Sequence, residues 1–357
     1  MPDASDRGFL QIERMAELLT PNKLAVRIVL GLIVLAVVMF LCSLIGTESV
    51  SLKAVFAGGA KAAAVNPDYE IFVRVRIPRI VLGAIVGAAL ACSGVVFQAL
   101  LRNPLADPYI LGISSGAGLG AMIAVISGLT WTLFGRSPIA IFAFAGALGT
   151  VWLVWLIGRL TGKFHLTGLL LAGVVVNAFF SAVIMFLTSI AKAEQVYATM
   201  FWLMGNMMEE DFVVLWTAGG CVVAGTVALF YLGPQLNALS FGEEDAKSIG
   251  VNTGRTRAAA FAIAAFMTAV AVSISGLIGF VGLIVPHGVR LVLGPDHRQL
   301  LPLSAIVGAI FLVAADTIAR IIVAPAQLPV GVVTAIIGGP FFLLLLVRYS
   351  RSVGWLK

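Results

Sequence analysis

Ten apolar runs, each about as long as a bilayer crossing, leave this chain few ways to fold. They fall near residues 26–46, 78–101, 109–129, 138–158, 166–190, 212–232, 257–276, 278–294, 302–322 and 331–347. A helix needs about 20 apolar residues to cross the hydrocarbon core. Inside lipid only helices and closed barrels satisfy every backbone group, and these runs are too long and continuous for barrel strands. The expected fold is all-α: a polytopic membrane protein of about ten transmembrane helices. Of the 357 residues 60% are hydrophobic and 11% charged, whereas soluble domains are about half apolar and a quarter charged.

The boundaries follow from the same pattern. Residues 1–25 are expected as a cytoplasmic N-terminal segment, 26–348 as one transmembrane domain, and 349–357 as a cytoplasmic tail. The run Val26 to Ile45 has no small-residue cleavage site behind it, so it reads as a retained helix and not a signal peptide. Around Gly276 the stretch SGLIGFVG has no polar break, and the residues alone leave nine or ten spans. With both termini cytoplasmic, 15 of the 23 Lys and Arg fall inside and 8 outside, as the positive-inside rule requires. Five of the outer eight crowd between Lys53 and Arg79. The net charge of +6 is spread along the loops and does not indicate nucleic-acid binding. Cys42, Cys92 and Cys221 lie in apolar spans without paired spacing, which supports neither a disulfide nor a metal site.

Between the second and third runs lies a polar island, RNPLADPYILGISSGAGLG, Arg102 to Gly120. Asn103 and Asp107 each precede a proline, and proline disfavours helix in the residue before it, so each pair reads as a turn. Gly112, Gly116 and Gly120 then recur every four residues, a spacing that lets a second helix backbone approach closely. Ser93-Gly94 before this island is echoed by Ser275-Gly276. The helices carrying them run in opposite directions in the expected topology, as in an inverted repeat.

Three further groups carry chemistry. Arg76 and Arg79 flank Pro78 at the outer mouth of the second helix, and Arg320 ends the ninth. Exposed guanidinium forks can hold carboxylates two bonds at a time; the same arginines would also suit lipid phosphates. Asp316 lies four residues before Arg320, so the two can pair across a helical turn. An ionisable group within a span is otherwise a candidate ion carrier. The segment Leu236 to Arg257 is the longest polar interruption of the C-terminal half. Ser240 and Glu243 fit a capping box, Gly250 fits a left-handed helix end, and Ala246 with Ile249 gives a small apolar edge. Such a helix can lie in a partner's groove or simply in solvent.

The island closely resembles the signature of the permease subunits of type II ABC importers, which move iron–siderophore complexes, haem and cobalamin. RIPR (Arg76 to Arg79), FWLMG (Phe201 to Gly205), GFVGLIVPHGVR (Gly279 to Arg290) and LPVGVVTAIIGGPFF (Leu328 to Phe342) agree with that family, from about Val73 to the C-terminus. The resemblance implies an inverted-repeat permease fold in a bacterial or archaeal cytoplasmic membrane. It implies a second permease copy, two ATP-binding subunits and a periplasmic or lipid-anchored substrate-binding protein. Arg76, Arg79 and Arg320 then match the residues that grip that binding protein. The segment containing Gly242, Glu243, Ala246, Ile249 and Gly250 matches the helix that couples to the ATPase. Asn103, Leu105 and Thr167 match gate positions at the inner end of the path. Pro-His followed by Arg recurs in the family whatever the cargo, so His287 is not read as a haem ligand.

No phosphate loop of the form G-x-x-x-x-G-K-[ST] is present, since the only Gly-Lys pair is Gly162-Lys163, followed by Phe164. ATP and magnesium are therefore expected on the partner subunit, with no cofactor on this chain. No nucleophile–base constellation points to an enzyme. The competing reading is a secondary transporter that uses Asp316 as its carrier.

Overall fold

The computed structural model describes residues 19–57, 66–132, 136–160, 166–207 and 211–353. Among these residues the long regular elements are all helices. Ten helices correspond to the expected spans: seven long enough to cross a membrane and three shorter apolar ones.

Helix α1 (Pro21–Leu44) starts five residues earlier than its apolar run, because Thr20 caps it by accepting from the Lys23 amide and Pro21 occupies the first turn. Of the expected 1–25 segment, residues 1–18 lie outside the described residues. A turn at Pro67–Tyr69 and a π-helical stretch, Glu70–Arg76, lead into α2 (Ile77–Leu100). The island yields a short 3₁₀ turn, Pro108–Leu111, and then α3 (Ile113–Ile126). There follow α4 (Pro138–Leu160), α5 (Leu166–Ile190), α6 (Ala193–Leu203) and α7 (Phe212–Tyr231). The polar interruption folds as two helices, α8 (Gly233–Phe241) and α9 (Glu243–Ser248), not one. The last four are α10 (Thr253–Ser275), α11 (Val281–Leu293), α12 (His297–Ile321) and α13 (Val330–Val353). Helix α13 thus runs past the expected end of the last span, and residues 354–357 of the tail are outside the described residues.

The undivided SGLIGFVG stretch does break. Gly276 and Phe280 both adopt positive φ, 67° and 69°, which ends α10 and turns the chain into α11. Helices α2, α10 and α12 form the centre, with 78%, 72% and 67% of their apolar windows buried, whereas none of the α1 window is. Packing at the centre is backbone against backbone. Gly94 of α2 lies on Gly282 of α11. Ser93 Oγ donates to the Ala264 carbonyl at 3.0 Å, and Gln98 Nε2 to those of Gly282 and Leu283 at 3.3 Å.

The glycine ladder works as expected in two of its three positions. Gly116 and Gly120 lie against Gly146 and the Phe142 carbonyl of α4. Gly112 instead caps α3 from outside, with φ 77°.

A methyl at Gly94 would overlap the Gly282 carbonyl oxygen, which no side-chain rotation relieves. Gly94→Ala should cost about 1–3 kcal/mol, the range for overpacking, and lower the melting temperature in detergent. Gly220→Ala, on α7 with nothing within 4 Å of the added carbon, should not.

Candidate translocation site

Three breaks in the helices converge. Helix α11 has 13 residues and α3 has 14, about 20 Å each at 1.5 Å per residue, against a hydrocarbon core of about 30 Å. Neither helix can therefore cross that core alone. Gly205 (φ 74°) ends the α6 segment, Gly276 ends α10, and Gly331 opens α13. The Gly331 amide donates to the Gly205 carbonyl at 3.4 Å, and Gly276 lies against the Trp202 carbonyl. Three of the sequence motifs, FWLMG, GLIGF and LPVG, thus meet at one junction. An open cavity of about 440 Å³ sits on it, lined by Leu203, Met204, Leu277, Gly331, Val332, Ala335 and Ile336. The lining side chains are aliphatic or thioether, so a bulky solute would meet wide, weak contacts.

The polar island closes on this junction. Asn103 Oδ1 accepts from the Leu105 amide at 2.9 Å, and Asp107 Oδ1 from the Tyr109 amide at 2.8 Å. Both turns expected from the Asn-Pro and Asp-Pro pairs are therefore present. The Asp107 carboxyl also accepts from the Phe280 amide, and burial pushes its pKa up to about 6 against the pull of those two amides. Tyr109 reaches Ile278 in the same break.

At one end of the bundle the three arginines do gather, but not as an exposed patch. Arg76, Arg79 and Arg320 are 3%, 8% and 6% exposed, which corrects the expectation of free guanidinium forks. Arg79 Nε donates to both oxygens of Asp316 at 3.2 and 3.1 Å, and its Nη1 to Gln327 Oε1 at 2.8 Å. Arg320 Nε lies 3.1 Å from Asp316 Oδ2, the expected i, i+4 pair, and its Nη2 donates to Thr317 Oγ1 at 3.0 Å. Arg76 donates to the carbonyls of Ser43, Leu44 and Glu48. The cause is the early close of α1, whose last carbonyls need donors just where the π-helical stretch delivers Arg76. Two guanidiniums, those of Arg79 and Arg320, share the Asp316 carboxylate beside the C-terminus of α12, where cations are favoured.

The opposite end carries α8 and α9. Ser240 does not form the expected capping box. It lies in the last turn of α8, where its hydroxyl donates to the Leu236 carbonyl at 3.0 Å, and Gly242 precedes α9. Glu243 instead pairs with Lys247 at 3.1 Å and Arg257 at 2.8 Å, which holds its carboxyl below the usual range. Gly250 (φ 84°) ends α9 as expected, with amide bonds from Gly250 to Lys247 and from Val251 to Ala246, both 3.0 Å. The expected apolar edge is split: Ala246 is fully buried, whereas Ile249 is 70% exposed. Phe241, at the end of α8, is 83% exposed; read as part of one polar interruption, it was not singled out by the sequence. Arg102 (φ 48°) ties this end to the island through the Leu239 carbonyl at 3.1 Å. Asn103 is exposed and Leu105 half-buried in one turn; Thr167 lies in the first turn of α5, and its side chain is outside the described residues.

The model of the FecCD transport family matches residues 33–348. The chain belongs to that family. This FecCD-family chain is 48% identical over 272 residues to the cobalamin import permease BtuC of Halobacterium salinarum, covering 76% of it and 72% of the relative. It is 37% identical over 329 residues to the hemin transport permease HmuU of Yersinia pestis, covering 91% and 97%. Its fold matches an inward-facing metal-chelate-type ABC transporter at TM-score 0.77 and 31% identity, over 89% of this chain and 98% of that one. The FecCD-family chain is therefore a multi-pass permease subunit of an ABC importer, a class that operates with an ATPase and a substrate-binding protein.

Two measurements check this geometry. Asp316→Asn leaves buried guanidiniums without a counter-charge and should cost about 3–5 kcal/mol of stability; adding Arg79→Gln should return part of the lost melting temperature. For Asp107 the folded value of about 6 exceeds the ordinary 3.8, so its contribution to stability is full below pH 3.8 and lost as pH rises through 6. Relative to Asp107→Asn, the wild type should therefore melt comparatively lower at pH 7.5 than at pH 4.

Proposed function

We propose that the chain is one half of a homodimeric importer that passes a bulky metal chelate, an iron–siderophore complex, haem or cobalamin, through a path along the cavity of the three breaks. The observation that carries this reading is the junction itself: interrupted helices that meet at a wide, open apolar cavity. Such interruptions are tolerated where they line a cavity or are buried in protein. Asn177, exposed midway along α5, supports the dimer. A polar side chain at that depth is costly against lipid and is suited to a water-lined path or a second subunit. The relatives named for cobalamin and hemin transport support the cargo class.

Two ATP-binding subunits supply ATP and magnesium and dock on the α8–α9 end, where Phe241 and Ile249 stand out of the surface. A periplasmic or lipid-anchored binding protein docks at the arginine end, where the surplus of positive charge suits acidic side chains. This orientation places both termini in the cytoplasm of a bacterial or archaeal cell and the protein in its cytoplasmic membrane. Arg27 of α1 reaches Gln299 at the start of α12, which puts the start of α1 at the α8–α9 end. Asp316 is poorly placed as an ion carrier, because Arg79 and Arg320 hold both of its oxygens.

Phe241→Asp with Ile249→Asp should weaken association with the ATPase by roughly 2 kcal/mol or more, as for central apolar anchors, read as lost co-purification. Asn177→Cys should react with a membrane-impermeant thiol reagent, and Val29→Cys on lipid-facing α1 should not. Transport by the chain alone, insensitive to vanadate and abolished by collapsing the proton gradient, would overturn this reading.

A further inference from the structure

The island and the break at 276–280 are far apart in sequence, yet one hydroxyl joins them. Tyr109 Oη donates to the Ile278 carbonyl at 2.9 Å and accepts from the Ile278 amide at 3.1 Å. Both polar groups of one residue in a broken helix are thus satisfied by a single side chain. In apolar surroundings those two groups have few other partners, and leaving them unpaired is costly. The next residue back, Leu277, lines the cavity and lies against Gly331 of α13. On the other side of the hydroxyl stands the turn. Asp107, two residues from Tyr109, caps the same 3₁₀ stretch and accepts from Phe280 as well. Asn103 and Leu105 form the preceding turn. Arg102 then binds the Leu239 carbonyl, two residues before exposed Phe241.

A continuous series of directional bonds therefore runs from the α8–α9 surface to the cavity wall. We propose that Tyr109 is a positioning residue that couples the Asn103–Leu105 turn to the cavity wall, so that displacement of the α8–α9 end moves both together. This deepens the transport reading and rests on it. The apolar contacts around the junction could slide; a hydroxyl that donates to the carbonyl and accepts from the amide of one residue fixes two directions at once and cannot slide without breaking. Motion imposed at Leu239 is thereby passed to Leu277 as a rigid-body shift and not absorbed locally. The island's second turn gains a purpose beyond ending a helix: it aims the Tyr109 ring at Ile278.

The test has two arms. In the permease alone, with Cys42, Cys92 and Cys221 replaced, spin labels on Leu105→Cys and Ala335→Cys should give one narrow distance distribution. Tyr109→Phe, which keeps the ring and removes only the hydroxyl, should broaden it. In the complete complex with its ATPase and binding protein, Tyr109→Phe should lower uptake per ATP hydrolysed about tenfold, the scale of one lost hydrogen bond. Arg102→Asn cuts the same series at an exposed residue whose left-handed backbone suits asparagine, and should lower that ratio in the same direction. An unchanged distance distribution overturns the coupling, whatever the complex does. So does a parallel fall of uptake and hydrolysis at constant ratio in both variants, which marks a merely structural role. A wild-type complex that shows no ATP-driven uptake overturns the transport reading instead, and the spin-label arm still decides the coupling.

Discussion

A peptide group inside an apolar slab must find its hydrogen bonds within the protein or at a cavity, and this chain interrupts its helices at three places that meet. Breaks at Gly205, at Gly276 to Phe280 and at Gly331 release amides and carbonyls inside the bundle. They are satisfied by being placed together: Gly331 donates to Gly205, Tyr109 serves Ile278, and Asp107 serves Phe280. Everything else in the arrangement serves that junction. The small residues of α2 allow α11 and α12 to approach closely enough for the broken segments to meet. The two shortened helices, α3 and α11, start close together, with Pro108 against Gly282.

The two ends of the bundle differ in character, and the difference supports a division of labour. One end holds three little-exposed guanidiniums, two of them paired with Asp316 and that of Arg76 bound to the last carbonyls of α1. Its charges are committed inward, so any acidic partner meets a field and a rearrangement, not a set of waiting forks. The other end is loosely built from two short helices. Its ion pairs, around Glu243, are half-exposed and individually weak. Its contribution is shape, with Phe241 and Ile249 outward and Ala246 locked into the core. A surface built this way is suited to transient, repeated engagement.

Much of this was legible beforehand. The ten spans, the two Asx-Pro turns, the Asp316–Arg320 pair and the left-handed end at Gly250 were all local patterns with local causes, and each stands in the structure. The misses share a different cause. Ser240 had the spacing of a cap, but a helix already under way claimed it. Arg76 and Arg79 had the position of exposed arginines, but the end of α1 and the carboxylate of α12 claimed them. Helix α6 and the exposure of Phe241 left no signal, because nothing in a short stretch reveals which neighbours will cover it.

Hydrophobic run length and proline and glycine placement by themselves determined that the chain spans a membrane with about ten helices, and which segments form them. These are properties of a residue and its near neighbours. Which broken ends meet, which charges are buried and which apolar side chains stay outside were decided only by tertiary structure. Those outcomes depend on contacts between residues more than a hundred positions apart, such as Tyr109 with Ile278 and Arg79 with Asp316. No local pattern encodes such a pairing, because each partner is satisfied only once the packed helices bring the other within reach.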